Sequence, residues 1–157
     1  MIDEENYGEK FKEHLLEQYK LFVEMADRVS NRRMHTNMFY ISLVSALIAV
    51  TSVLREVGSF NSVIILSISG LGIIVCILWY VHIESYRKLN SAKFTVIHEI
   101  EKYLPYPCYY KEWEVLEKSR YVLLSKIEQG ITIIFAIIFS IPLLRLLYYL
   151  FYLVISR

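Results

Sequence analysis

Three long apolar runs constrain this chain more than any other feature: FYISLVSALIAVTSVL over 39–54, VIILSISGLGIIVCILWYV over 63–81, and ITIIFAIIFSIPLLRLLYYLFYLVI over 131–155. A helix needs about 20 mainly apolar residues to cross the ~30 Å hydrocarbon core of a bilayer. The second and third runs meet that length, and the first does once Met34–Met38 are added. Composition agrees. The chain is 55% hydrophobic with a mean hydropathy of +0.39, above the ~45–50% apolar content, glycine included, of an ordinary soluble domain. The expected fold class is an all-α integral membrane protein: a transmembrane helical hairpin, a helical extension outside the membrane and a C-terminal membrane helix.

The placement of charge orients these crossings. Of 17 Lys and Arg residues, six lie in 1–34 and eight in 84–129. The eight-residue connection REVGSFNS between the first two crossings holds one, Arg55, with Gly58 and Asn61 as turn formers. Basic residues are retained on the cytoplasmic side, so the hairpin tip faces away from the cytosol and the N-terminus lies in it. The first 30 residues carry many acids and no apolar core, so no cleavable signal peptide is expected.

Four segments follow: a cytosolic amphipathic helix in 1–33, the transmembrane hairpin in 34–82, a cytosolic helical region in 83–129, and a membrane helix in 130–157. Over 6–33, Phe11, Leu15, Tyr19, Phe22, Ala26 and Val29 recur at steps of three or four and share one face. Beyond the second crossing no Gly or Pro occurs between Gly72 and Pro105, and Ile83, Tyr86, Leu89, Val96, Ile100 and Tyr103 keep helical spacing. One continuous helix over 63–104 is therefore expected, with the N-terminal helix as its partner. LPYPCYY at 104–110 ends it, since two prolines in three residues cannot continue a helix. One or two short helices should follow over 111–128, with Trp113, Leu116 and Leu124 closing the cytosolic core. Pro142 should kink the third crossing.

Chemistry-bearing patterns are sparse. His14, His35, His82 and His98 are far apart, and Lys102 stands where a second zinc histidine would follow His98. No glycine-rich phosphate loop or nucleophile elbow occurs. Catalytic residues, a metal and a cofactor are therefore not expected. With 17 basic against 16 acidic residues, the chain lacks the basic excess of a nucleic-acid binder. Cys76 and Cys108 offer no disulfide framework.

Three other features stand out. Ser42, Ser45, Ala49 and Ser52 form a stripe of small residues on the first crossing, and Ser69, Gly72 and Cys76 form one on the second. Small residues let membrane helices approach closely, either within one hairpin or between subunits. Arg28, Arg32, Arg33, Arg87, Lys88 and Lys93 flank the membrane boundary, where each cation gains about 1 kcal/mol near an anionic surface; they are candidate contacts for lipid headgroups. Arg145 interrupts the third crossing about 21 Å along from residue 131, within snorkelling reach of the far boundary. Alternatively it faces a subunit interface or watery lumen, or the chain bends at Pro142 and its tail lies on the membrane.

The run from ADRVSNRR (26–33) into the first crossing, SYRKLNSAKF (85–94) after the second, and the pair Glu112–Trp113 together resemble the RipA-like family of small bacterial inner-membrane proteins. That resemblance implies a homo-octamer in a bacterial cytoplasmic membrane and supplies no reaction. The expected function is a non-enzymatic oligomeric assembly with a scaffold or envelope-maintenance role, its partners being itself and membrane lipids. The competing expectation is an oligomeric pore or membrane effector gated through the cytosolic helices.

Overall fold

A peptide group in hydrocarbon has no water to bond, so an apolar run must close its own hydrogen bonds, and the α-helix does so within one segment. The computed structural model describes residues 4–57, 61–119 and 121–155, and is all-helical there. Its elements are α1 (Glu4–Tyr7), α2 (Phe11–Glu56), α3 (Ser62–Glu101), α4 (Cys108–Lys118) and α5 (Leu124–Ile155). Three of them, α2, α3 and α5, are long and apolar enough to cross a membrane.

Helix boundaries follow local chemistry. Gly8, at φ 93°, takes the left-handed conformation that separates α1 from α2, so the helix expected from residue 6 starts at Phe11. No Gly or Pro interrupts the next 46 residues, and the N-terminal helix and first crossing form one element. Asn61 accepts a bond from the Val63 N–H at 3.2 Å, capping the start of α3. Gly58, the other expected turn former, lies outside the described residues. α3 stops three residues short of the expected end. There the Leu104 N–H bonds the Glu101 carbonyl and the prolines follow.

The stretch expected to hold one or two short helices divides differently. α4 begins at Cys108 and ends at Lys118, whereas Leu124–Glu128 are the first turns of α5. Pro142 lies inside α5, and the helix continues through it to Ile155. The tail therefore prolongs the third crossing's helix rather than turning off at the proline.

The chain divides into two compact units. A charge-rich unit comprises 1–33 and 85–123, and an apolar unit comprises 34–84 and 124–157. In the apolar unit Tyr40 and Val44 of α2, Val75, Cys76, Trp79 and Ile83 of α3, and Phe139 of α5 form one buried cluster. Trp79 stacks on Tyr40 with centroids 5.8 Å apart and donates its indole N–H to Asn37 Oδ1 at 2.8 Å. The Tyr40 hydroxyl pairs with His82 Nδ1 at 2.7 Å, and Gln129 donates to Glu84 at 3.1 Å.

In the charge-rich unit Ala26, Val29, Ile97 and Ile100 are buried, and Phe11, Leu15, Tyr19 and Phe22 are half-buried. The amphipathic face of α2 is thus the packed one. Leu89 and Tyr103 are exposed despite their helical spacing. The core assignment of Trp113 and Leu124 is corrected: both are about half exposed, and α4 has no buried residue.

Gly72 tests the apolar packing. A Cβ there would fall onto the Phe139 ring, whereas one on Gly70 would meet nothing within 4 Å. Gly72→Ala should lower stability by about 1–3 kcal/mol, the usual cost of overpacking, and Gly70→Ala should not. Thermal unfolding in detergent checks this, with Gly72→Ala/Phe139→Leu recovering part of the loss.

Candidate functional site

The buried carboxylate of Glu101 organises the charge-rich unit. Glu101 is 1% exposed and occupies the position four residues after Ile97 that an apolar side chain would normally fill. Its Oε1 accepts the Tyr109 N–H at 2.8 Å and its Oε2 the Tyr110 N–H at 3.0 Å. The Tyr19 hydroxyl donates to Oε1 at 3.1 Å. The first N–H groups of a helix lack intrahelical partners and carry the positive end of its dipole. Pro107, at the N-cap of α4, gives no side-chain bond. Glu101 therefore caps α4 from across the unit and ties α2, α3 and α4 to one group. Burial and the Glu101 carboxylate push the Tyr19 phenol far above its usual range, so it remains a donor. Burial, followed by the nearby Asp27 charge, also raises Tyr109.

Beside this cap lies an open cavity of about 540 Å³ bounded by Tyr19, Lys20, Val23, Glu24, Asp27, Cys108, Tyr109 and Glu112. The phenol rings supply apolar wall and the acids outnumber the single lysine. Glu24 is paired with Arg28 at 2.6 Å. On the outer surface of α4, Glu114 is held at about 2 by hydrogen bonds from Lys111 and Lys118. Such surface ion pairs contribute little to stability. Among the described residues no group of three His, Cys, Asp or Glu side chains is arranged to hold a metal.

The residues singled out from sequence fall into distinct settings. All six boundary cations belong to the charge-rich unit. Arg28 pairs with Glu24, Arg32 is exposed, Arg33 is half-buried, and Arg87 and Lys88 are exposed. The Lys93 ammonium sits 5.7 Å from the centre of the Phe22 ring. On α3, Ser69, Gly72 and Cys76 are buried. On α2, Ser42, Ser45, Ala49 and Ser52 are all exposed, because Leu43, Val44 and Leu47 carry the contact instead. Arg145 is exposed on α5. Cys76 and Cys108 are free thiols, the first buried and the second exposed.

Sequence reasoning passed over Glu101. Its signal was a carboxylate at a core position of the 97–100–101–104 face, followed by a helix start with no capping side chain. Glu101→Ala should cost about 1–3 kcal/mol for each buried donor left without a partner, and should raise amide exchange at Tyr109 and Tyr110 before the rest of the unit. Tyr19→Phe should cost about 1 kcal/mol and leave those amides protected. Hydrogen-exchange mass spectrometry on the full chain separates the two outcomes.

No curated protein and no solved structure matches the chain. A family model does, over residues 16–152, which takes in α2 from Leu16 onward, all of α3 and α4, and α5 as far as Tyr152. With three helices fit to cross a membrane and a match over most of its length, the chain belongs to the octameric membrane protein family.

Proposed function

We propose that the chain is a subunit of a non-enzymatic homo-octamer in a bacterial cytoplasmic membrane, with its N-terminus and charge-rich unit in the cytosol, serving as a scaffold or envelope-maintenance component. The observation that carries this reading is how the polar groups of the crossings are used. Asn37, Tyr40, His82, Glu84 and Gln129 bond to one another or to Trp79 within the chain. The hydroxyls of Thr51, Ser52, Ser67 and Ser140 bond the carbonyl four residues back on their own helices. Little of this chemistry remains to line a continuous aqueous path, whereas the outward surfaces of the crossings are rich in Ile, Leu and Val, suited to lipid and to neighbouring copies. The boundary cations, Arg32, Arg87 and Lys88 among them, would hold anionic lipid headgroups at the cytosolic surface.

One feature favours the second reading, a pore or membrane effector. Arg145 is an exposed cation within an apolar helix, and such residues usually face a bundle interior or water. Reconstitution into liposomes separates the two. The scaffold reading expects ion flux indistinguishable from empty liposomes, and unchanged by Arg145→Leu. Robust flux that Arg145→Leu abolishes would replace it with the pore.

A further inference from the structure

Beyond Pro142, the polar side chains of α5 gather on one face. Arg145, Tyr148, Tyr149 and Tyr152 follow at i, i+3, i+4 and i+7, the spacing of a single helical stripe. All four are exposed, the three phenols at 74%, 58% and 60%. The packed side of α5 is a different one. Thr132 and Phe139 are buried there, and Phe135 and Ala136 lie against the apolar core. At 3.6 residues per turn the centre of the polar stripe lies roughly 130° around the helix from Phe139. Among the described residues no acid pairs with Arg145.

Depth brings these groups to the edge of the hydrocarbon. Counting ~1.5 Å per residue from Ile131, Arg145 stands about 21 Å into a ~30 Å core. Tyr148, Tyr149 and Tyr152 stand at about 26, 27 and 32 Å, where tyrosine is enriched at the membrane–water interface. Helical side chains lean toward the N-terminus, so the Tyr148 and Tyr149 rings lean back toward Arg145. The ~9 Å left above Arg145 is closed as it is around other intramembrane arginines, by extension of the side chain and local thinning of the bilayer. A guanidinium presents a planar fork of N–H donors that fits two phosphate oxygens at once. The phenol hydroxyls add further donors. Charge then selects the partner. Across 34–83 and 130–157 the Lys and Arg residues are Arg55, Arg145 and Arg157, and the only carboxylate side chain is Glu56, next to Arg55. Further copies of the chain bring the same excess in these segments, whereas an anionic headgroup offsets it.

We infer that Arg145, with Tyr148, Tyr149 and Tyr152, holds the phosphate of an anionic phospholipid in the leaflet at the C-terminal end of α5. The site is distinct from the boundary cations, all of which belong to the charge-rich unit. It requires that α5 cross the bilayer and is independent of subunit number and of the scaffold role. The test places a photoreactive benzophenone side chain at position 152 of the full-length protein, leaving Arg145, Tyr148 and Tyr149 in place. The protein is reconstituted in phosphatidylcholine liposomes with a minor share of phosphatidylglycerol, irradiated, and its adducts identified by mass spectrometry. The expected adduct is phosphatidylglycerol, enriched about fivefold over its share of the bilayer, equivalent to about 1 kcal/mol. Arg145→Gln should remove the enrichment and Arg145→Lys should keep part of it, both at the native mass of the parent. Should Arg145→Gln alter assembly, Tyr148→Phe/Tyr149→Phe keeps the charge and should still lower the enrichment. Adducts between subunits would mean that a neighbouring copy covers this face, and would overturn the site. So would lipid adducts in bulk proportion, the lack of adducts that a water-filled lumen would give, or enrichment that survives Arg145→Gln. Loss of the enrichment to inorganic phosphate at constant ionic strength would assign the site to free phosphate instead of lipid.

Discussion

A bilayer offers a peptide group no hydrogen-bonding partner, and nearly everything in this structure follows from that deficit. The three apolar runs become helices because a helix alone satisfies the backbone within one segment. The few polar side chains they carry are drawn together for the same reason. Asn37 receives the Trp79 indole N–H, Tyr40 meets His82, Gln129 meets Glu84, and hydroxyls fall back on carbonyls of their own helix. Hydrophobicity does not select these contacts, since lipid is as apolar as leucine. Shape and hydrogen bonding select them, as where Gly72 leaves room for the Phe139 ring and Trp79 stacks on Tyr40.

The charge-rich unit solves the opposite problem. Burial of an apolar face stabilises a charge-rich helical unit in water, and Ala26, Val29, Ile97 and Ile100 supply such a face here. Four side chains of this size make a thin core. Glu101 compensates by bonding two otherwise orphaned N–H groups of α4 and the Tyr19 hydroxyl. A buried carboxylate is costly unless its oxygens are fully engaged, and here three donors and a helix dipole engage them. The result positions α4 through its first turn and leaves Trp113 about half exposed on its outer surface.

Membership of the octameric membrane protein family gives that outward surface a context. A chain with three crossings and a thin soluble core buries little of itself. Association with further copies is then a natural way to cover surface that a single chain leaves exposed.

Much of the fold was legible in the sequence because its signals are local. Run length specified the crossings, two prolines specified the end of α3, and apolar spacing specified the packed face of α2. The division of 111–128 was less accessible, since Leu124–Glu128 take their helical state from the long crossing that follows them. The sequence also could not say which small residues meet a neighbouring helix. Ser69 and Gly72 are covered while Ser42, Ser45, Ala49 and Ser52 are not, and a crossing that is apolar on every side carries no periodic signal of inside and outside. The same holds for Glu101 and Trp113. By composition the acid belongs at the surface and the tryptophan in the core, yet their places are exchanged because only the three-dimensional approach of α4 brings two unbonded N–H groups to one carboxylate.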